Sequence, residues 1–234
     1  MTALDLSSPV AVVGTGTMGQ GIAQVALTAG HPVRLYDAVA GRAVEAAAAI
    51  GARLDRLVEK DRLTAAERDA ARARLAPVDT LAGLADCALV VEAVLERLDV
   101  KQDLMRALED VVGEDCLLAT NTSSLSVTAI GGALRVPGRF VGLHFFNPAP
   151  LLPLVEVVSG FATDAGAATR AYETARAWGK TPVACADTPG LSSTASRAPS
   201  TPRPSRCTRR RPRTRRPSTR CCASPAASGW APSS

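Results

Sequence analysis

Residues 10–37 read VAVVGTGTMGQGIAQVALTAGHPVRLYD, and this stretch decides the fold. Residues 10–13 form a short apolar run, rich in β-branched side chains, that ends in a glycine turn. Residues 18–29 follow a helical pattern, and residues 33–36 form a second strand-like run. Because strand, glycine turn, helix and strand follow one another without interruption, the segment predicts one βαβ unit.

The glycines of this unit have the G-x-G-x-x-G spacing of a dinucleotide-binding turn. The first glycine permits the tight turn, the second lets a pyrophosphate approach the backbone, and the third lets the helix pack closely. The acid that ends the second strand can accept both ribose hydroxyls of an adenosine and would repel a 2′-phosphate. The alternative is a chance glycine turn beside a plain turn carboxylate. The context favours NAD, with these cofactor-binding residues: Gly14, Gly16, Thr17, Met18, Gly19 and Asp37.

Helical and strand-like patterns alternate along the rest of the body. Residues 39–57 are an alanine-rich helical stretch, and Thr64 opens a second helix with the capping-box pattern Thr-Ala-Ala-Glu. Two helices exceed what one crossover needs, so we expect a protruding helical hairpin. Further strands are predicted at residues 88–91, 116–120, 140–144, 154–158 and 181–185, and further helices at 99–112 and 164–178. This alternation predicts an α/β fold with a mainly parallel sheet covered on both faces.

The composition changes abruptly after residue 190. Residues 191–234 contain ten Arg, ten Ser and seven Pro, with no Lys, Asp or Glu, whereas residues 1–190 carry 17 basic against 22 acidic side chains. The formal net charge of +5 therefore combines an acidic body with a basic tail. We expect a folded domain over 1–190 and a disordered tail over 191–234, because the tail has too little aliphatic surface to fold.

Several classes of function are disfavoured. No apolar run reaches the roughly 18 residues that a membrane span needs, and residues 1–9 lack the pattern of a secretory signal, so a cytosolic location is expected. With two histidines and no C-x-x-C pair, no metal site is predicted. A non-enzymatic alternative is an NAD-binding fragment whose arginine tail binds nucleic acid. Such binding would be nonspecific and salt-sensitive.

Two polar clusters follow predicted strands, at the edge where open α/β sheets bind ligands. The first is Thr-Asn-Thr-Ser-Ser at 120–124, whose alternative function is to cap a helix. The second is His144 with the Phe-Phe-Asn-Pro that follows, and Glu156 lies on the next strand. Histidine exchanges a proton near neutral pH, and a neighbouring carboxylate would fix its tautomer. A core histidine is the alternative for His144, whereas His31, in a Gly-His-Pro turn, is expected to be solvated.

Five strings carry a family resemblance: GTGTMGQGIAQVALTAGH, VVEAVLERLDVK, ATNTSSLSVTAI, VGLHFFNPAPLLPLVEVV and GKTPVACADTPG. They resemble the L-3-hydroxyacyl-CoA dehydrogenase family almost without a break over residues 10–190. The resemblance implies a Rossmann-like NAD-binding domain followed by a helical domain for dimerisation and substrate binding. A homodimer is therefore expected of an intact member.

The resemblance also implies the residues that carry the chemistry. His144 is similar to the family's catalytic base and Glu156 to its acidic partner. Ser123 resembles the serine that contacts substrate and nicotinamide, and Asn147 the asparagine of the same pocket. The implied reaction moves hydride from C3 of an L-3-hydroxyacyl-CoA to NAD and yields a 3-oxoacyl-CoA. An alternative substrate is a free 3-hydroxy acid.

Four further positions match binding residues of the family. Glu96 and Lys101 match positions on the nicotinamide side, and Asp37 matches the acid at the adenosine ribose. Lys60, in the helical hairpin, falls where the family contacts a phosphate of CoA. An exposed helical lysine is, in the alternative, simply solvated.

The chain departs from the family after Gly190, where members continue with FIVNR or a similar string. Codons for residues 192–203 can be chosen so that reading one base earlier gives IVNRVARPFYAE, and residues 208–233 decode likewise into a family-like helical sequence. A shifted reading frame is therefore the hypothesis for the tail. The chain as printed is then expected to keep an NAD-binding half-site and to turn over weakly.

Overall fold

The computed structural model describes residues 2–187, and they build one eight-stranded sheet in the order β3-β2-β1-β4-β5-β6-β7-β8. The strands are β1 (Val10–Val13), β2 (Val33–Tyr36), β3 (Leu75–Pro77), β4 (Leu89–Glu92), β5 (Leu117–Thr120), β6 (Phe140–Phe145), β7 (Leu154–Ser159) and β8 (Thr181–Ala186). The helices are α1 (Thr17–Ala29), α2 (Arg42–Glu59), α3 (Ala65–Ala73), α4 (Leu98–Glu109), α5 (Val127–Gly131) and α6 (Ala165–Ala177). The tail over 191–234 and the boundary expected at residue 190 lie outside the described residues.

The strand order reverses between β1 and β4, which places a ligand crevice there. From β1 the chain first builds outward through β2 and β3, then returns to add β4 on the other side of β1. All pairs are parallel except β6 with β7. Because parallel strands end at the same edge, the residues that follow β1, β4 and β5 converge at this switch point.

Helices cover both faces of the sheet, so the predicted fold class is confirmed. One core contains Ile22 of α1, Ile50 of α2 and Ala171 of α6. The other contains Met105 of α4 and Ile130 of α5. Strand residues alternate between the two cores, which explains why β1, β4, β5 and β6 are buried along their whole length.

The expected helical hairpin is present, and its turn is exposed. The capping box at Thr64 forms, and Asp55 pairs with Arg68 and Arg72 to clamp α3 against α2. Ile50 on α2 is fully buried, and the hairpin leads directly into β3, which pairs with β2. It is therefore the crossover between two sheet neighbours. The sequence analysis missed β3, a three-residue strand that includes a proline.

The expectation that His31 is solvated was wrong. Its side chain is fully buried, and Nδ1 lies 3.0 Å from the Ser8 carbonyl oxygen. Its ring stands edge-on to Trp178, with centroids 5.8 Å apart. The Gly-His-Pro turn is thus folded inward under the end of α6. Among residues 2–187, no helix is long and apolar enough to span a bilayer.

Candidate active site

The glycine turn between β1 and α1 is open where a ligand would approach and tight elsewhere. Gly14 has φ of +91°, and a Cβ there would lie 2.7 Å from the Ala93 carbonyl oxygen. At Gly19 a Cβ would lie 1.8 Å from the Gly14 carbonyl oxygen, because α1 packs directly on the turn. At Gly16, by contrast, a Cβ would meet no atom within 4 Å. The backbone at Gly16 is therefore accessible to a bulky group such as a pyrophosphate.

Asp37 follows β2 and connects the second strand to the same turn. Its Oδ2 accepts hydrogen bonds from the Thr15 amide at 2.8 Å and the Thr15 hydroxyl at 2.7 Å. Its Oδ1 accepts one from the Val39 amide at 3.0 Å. Burial alone would raise the pKa of Asp37, but these donated hydrogen bonds outweigh it and lower the pKa. The Asp37 carboxylate is thus ionised and held beside the turn. Thr17, the exposed first residue of α1, belongs to the same glycine motif.

His144 and Glu156 form a buried pair across the antiparallel strands β6 and β7. They are directly opposite in register, and His144 Nδ1 lies 2.9 Å from Glu156 Oε2. Their exposed fractions are 7% and 2%. Because an ionised carboxylate only accepts hydrogen bonds, Nδ1 carries the proton and Nε2 keeps its lone pair in the neutral ring. The pair can therefore take up a proton at Nε2 while Glu156 stabilises the resulting imidazolium.

A cleft of about 340 Å³ brings most of the predicted residues together. Its lining consists of Met18, Ala93, Val94, Glu96, Lys101, Asn121, Ser123, His144, Phe145, Phe146 and Asn147. Glu156 lies behind His144, and Asp37 lies outside this lining, at the glycine turn. Lys60 is an exposed residue in the turn after α2 and does not line the cleft. The structure thus unites the expected proton-transfer and nicotinamide-side residues, and leaves Lys60 apart.

Glu96 organises the turn that carries Ser123. Its Oε1 accepts hydrogen bonds from the Thr122 hydroxyl and from the Ser123 and Ser124 amides, the last two at 3.0 and 3.3 Å. Its Oε2 lies 3.2 Å from Lys101 Nζ. Burial opposes ionisation, but the Thr122 bond and the Lys101 charge prevail and lower the pKa of Glu96 to about 2. Glu96 is therefore a permanent anion at the rim of the cleft.

Three residues of this region were missed by the sequence analysis. Glu92, the last residue of β4, is fully buried and bonds Lys101 at 2.6 Å. Asn121 Oδ1 accepts from the Phe145 amide at 2.8 Å, which ties the end of β5 to the end of β6. Asp187 accepts from the Ser126 hydroxyl and the Thr128 amide, both at 2.7 Å, at the start of α5. The partners of Asn121 and Asp187 are remote in sequence, and Lys101 is nine residues from Glu92. Only the position of Asn121 within the polar cluster indicated a role.

A doubly wound sheet, a glycine turn at its switch point and a histidine–glutamate pair beside the cleft define the class of NAD-binding dehydrogenase domains. Residues 9–188 match the sequence model described as 3-hydroxyacyl-CoA dehydrogenase, NAD binding domain. The chain therefore belongs to the 3-hydroxyacyl-CoA dehydrogenase family, and the cofactor of this domain is NAD.

Individual relatives agree with that assignment. The chain is 49% identical over 182 residues to the 3-hydroxyadipyl-CoA dehydrogenase of Escherichia coli, which covers 78% of this chain and 38% of that protein. It is 40% identical over 189 residues to a 3-hydroxybutyryl-CoA dehydrogenase of Mycobacterium tuberculosis, with coverage of 80% and 66%. A crystal structure of 3-hydroxybutyryl-CoA dehydrogenase from E. coli superposes with a TM-score of 0.77 at 48% identity, covering 80% of this chain and 39% of that one. The chain thus spans less than two thirds of these relatives.

Proposed function

We propose that the protein is an NAD-dependent L-3-hydroxyacyl-CoA dehydrogenase in which His144 is the general base. The observation that carries the proposal is the buried His144–Glu156 pair, 2.9 Å apart, in the wall of a cleft that also contains Ser123 and Asn147. Oxidation of a secondary alcohol needs one group to remove the hydroxyl proton while hydride leaves the carbon. A neutral imidazole whose Nδ1 is held by a carboxylate, and whose Nε2 therefore keeps its lone pair, is suited to that task.

The residues present fit a dinucleotide. The open approach at Gly16, the ionised Asp37 beside the turn and the cleft beyond Met18 could hold pyrophosphate, ribose and nicotinamide in succession. NAD, when bound, supplies the acceptor for the hydride from C3. Asp37 would disfavour a cofactor with a 2′-phosphate by charge repulsion.

The chain's own residues supply the proton transfer and the orientation of substrate. His144 Nε2 takes the proton of the C3 hydroxyl, and Glu156 stabilises the imidazolium that forms. The hydroxyl of Ser123 and the amide of Asn147 orient the substrate from neighbouring parts of the cleft lining. The product is a 3-oxoacyl-CoA, and His144 then releases its proton to solvent. In the reverse direction, protonated His144 gives its proton to the C3 carbonyl oxygen, which becomes the hydroxyl.

An acyl-CoA is the substrate class we propose, since the relatives are named for 3-hydroxybutyryl-CoA and 3-hydroxyadipyl-CoA. Lys60, exposed after α2, is the proposed contact for a phosphate of CoA. The homodimer and the cytosolic location remain predictions.

We also propose that residues 191–234 are read from a shifted frame of the family's helical domain. The change in composition after residue 190 and the family-like string decoded one base earlier support this proposal. Sequencing the gene across the Gly190 codon tests it, and an intact frame there would overturn it.

The activity is tested by comparing the printed chain with a frame-restored chain, in which the reading frame after the Gly190 codon is shifted back by one base. The assay supplies NAD and L-3-hydroxybutyryl-CoA and follows NADH formation. We expect clear turnover from the frame-restored chain and much slower turnover from the printed one. Preference for free 3-hydroxybutyrate would favour the alternative substrate. Comparable rates from both chains would show that the helical domain is dispensable.

A further inference from the structure

A cluster of three charged side chains that the proton-transfer chemistry does not use extends from below the cleft to its rim. Glu92 is the last residue of β4, the strand between β1 and β5, and its side chain is 0% exposed. Its Oε1 accepts hydrogen bonds from Lys101 Nζ at 2.6 Å and the Val94 amide at 2.7 Å, and its Oε2 accepts from the Thr120 hydroxyl at 2.7 Å. Three of the roughly four acceptor directions of this carboxylate are therefore occupied by donors of the protein.

Lys101 connects the buried Glu92 to Glu96, which lines the cleft. Its side chain is 1% exposed and bridges Glu92 to Glu96, the second contact at 3.2 Å. Glu96 in turn holds the amides of Ser123 and Ser124. Ser123 is thus connected to the carboxyl end of β4 through two ion pairs and a backbone hydrogen bond. We call these three residues, Glu92, Lys101 and Glu96, the charge clamp.

The charge clamp carries a net charge of −1. It has two carboxylates and one ammonium, and among residues 2–187 no other Lys, Arg or His lies within salt-bridge distance of Glu92 or Glu96. Burying such charges is costly, and an apolar pair of similar volume would stabilise a fold at least as well. A role in packing alone therefore does not account for the clamp.

We propose that Glu92 is a positioning residue that holds the charge clamp and makes it net negative, so that the cleft favours the oxidised over the reduced nicotinamide. The inference rests on the proposed location of the nicotinamide beside Glu96 and Lys101. The oxidised ring carries a positive charge and the reduced ring is neutral. An excess negative charge beside the ring attracts only the oxidised form.

Glu92→Gln tests the charge without removing the contacts. The Gln oxygen can still accept from Lys101 and Val94, and its amide can donate to the Thr120 hydroxyl. Calorimetric titration of the full chain with NAD⁺ and with NADH gives the ratio of the two affinities. We expect Glu92→Gln to lower the ratio of NAD⁺ affinity to NADH affinity by at least about fivefold, the factor that a unit charge gives across about 4 Å at the dielectric constant of bulk water.

Glu109→Gln is the matched control. Glu109 is a buried carboxylate on the same helix as Lys101, but it accepts from the Arg135 and Val136 amides away from the cleft. It should leave the ratio unchanged. Should Glu92→Gln fail to fold, Glu96→Gln removes the other carboxylate from a side chain that is 36% exposed, and the same fall is expected.

The possible results distinguish the inference about Glu92 from the proposed dehydrogenase activity. An unchanged ratio in a folded Glu92→Gln or Glu96→Gln chain would overturn the inference and leave the proposed dehydrogenase intact. A ratio that fell equally in Glu109→Gln would also overturn it, because the effect would then be general. A wild-type chain that bound neither form would overturn the proposed cofactor site and this inference together.

Discussion

The two histidines among the described residues have similar surroundings but different hydrogen-bond partners at Nδ1. Both rings are buried, and both use Nδ1, His31 toward the Ser8 carbonyl at 3.0 Å and His144 toward Glu156 at 2.9 Å. Each also contacts an aromatic ring. However, only His144 has a carboxylate partner, and only His144 borders the cleft. His31 instead joins the N-terminal segment to the end of α6.

The difference shows that burial does not distinguish an acid–base histidine from a core histidine. A carbonyl can fix the tautomer but adds little stabilisation to an imidazolium, whereas a carboxylate does both. Accordingly, burial lowers the pKa of His31 despite its bond to Ser8, and the ring stays neutral.

The first test replaces each histidine by glutamine in the frame-restored chain. His144→Gln should lower turnover by about 10²- to 10⁴-fold, since that is the typical contribution of general acid–base catalysis. NAD affinity should barely change, because the glycine turn and Asp37 are untouched. His31→Gln should keep the turnover of each folded molecule while lowering stability. If the two variants lost turnover equally, the distinction between the two regions would fail.

Glu156→Gln tests the partner rather than the ring. The amide can still contact Nδ1, but it cannot stabilise the imidazolium by charge. We expect kcat to fall by about 10- to 10²-fold with KM for NAD little changed. Steady-state kinetics at saturating NAD measure this. Wild-type kcat in a folded Glu156→Gln enzyme would contradict the role of the carboxylate.

Asp37 should affect the affinity for the cofactor and not the turnover number. The chain should bind NAD at least about tenfold more tightly than NADP, because Asp37 repels a 2′-phosphate. Asp37→Asn should narrow that difference and leave the turnover number with saturating NAD unchanged. Calorimetry with both cofactors gives the comparison. Equal affinities in the wild type would contradict the assignment of Asp37.

The smallest effect concerns the acid stability set by His31. Its pKa is lowered in the folded state, so the unfolded chain binds the proton more readily. Stability should therefore fall as pH drops below about 6.5, the pKa of an exposed histidine, and keep falling until the folded-state pKa is passed. His31→Gln should reduce the loss of unfolding free energy between pH 7 and pH 5, by of order 1 kcal/mol. Urea unfolding at the two pH values tests this, and an unaltered loss would exclude His31 as its source.

Local signals explain which parts of the fold were predictable. β1 and β2 were predicted with the bounds that the structure gives, because each is a short apolar run and the glycine turn marks the end of the first. β3 and α5 were missed because three and five residues are too few to establish a period. The antiparallel direction of β7 was not predicted, although the connection over 146–153 is too short for the crossover that parallel strands need.

The same limit applies to the candidate site. The residues of strings such as TNTSSL and HFFNP could be proposed from the sequence because each string is short and contiguous. Glu92 reads as the polar end of an apolar strand, and only its contact with Lys101 on α4 reveals the charge clamp. His31 was misjudged because a Gly-His-Pro turn gives no sign that Trp178 packs against it.

The antiparallel pairing of β6 and β7 also governs how this part of the gene can change length. The connection between the strands, residues 146–153, can gain or lose residues without altering which side chains are opposite one another. A single codon inserted within β7 before Glu156 would instead rotate that residue to the other face of the sheet, among Leu143 and Phe145. Insertions and deletions in this region should therefore accumulate in the connection and be absent from the six residues of each strand.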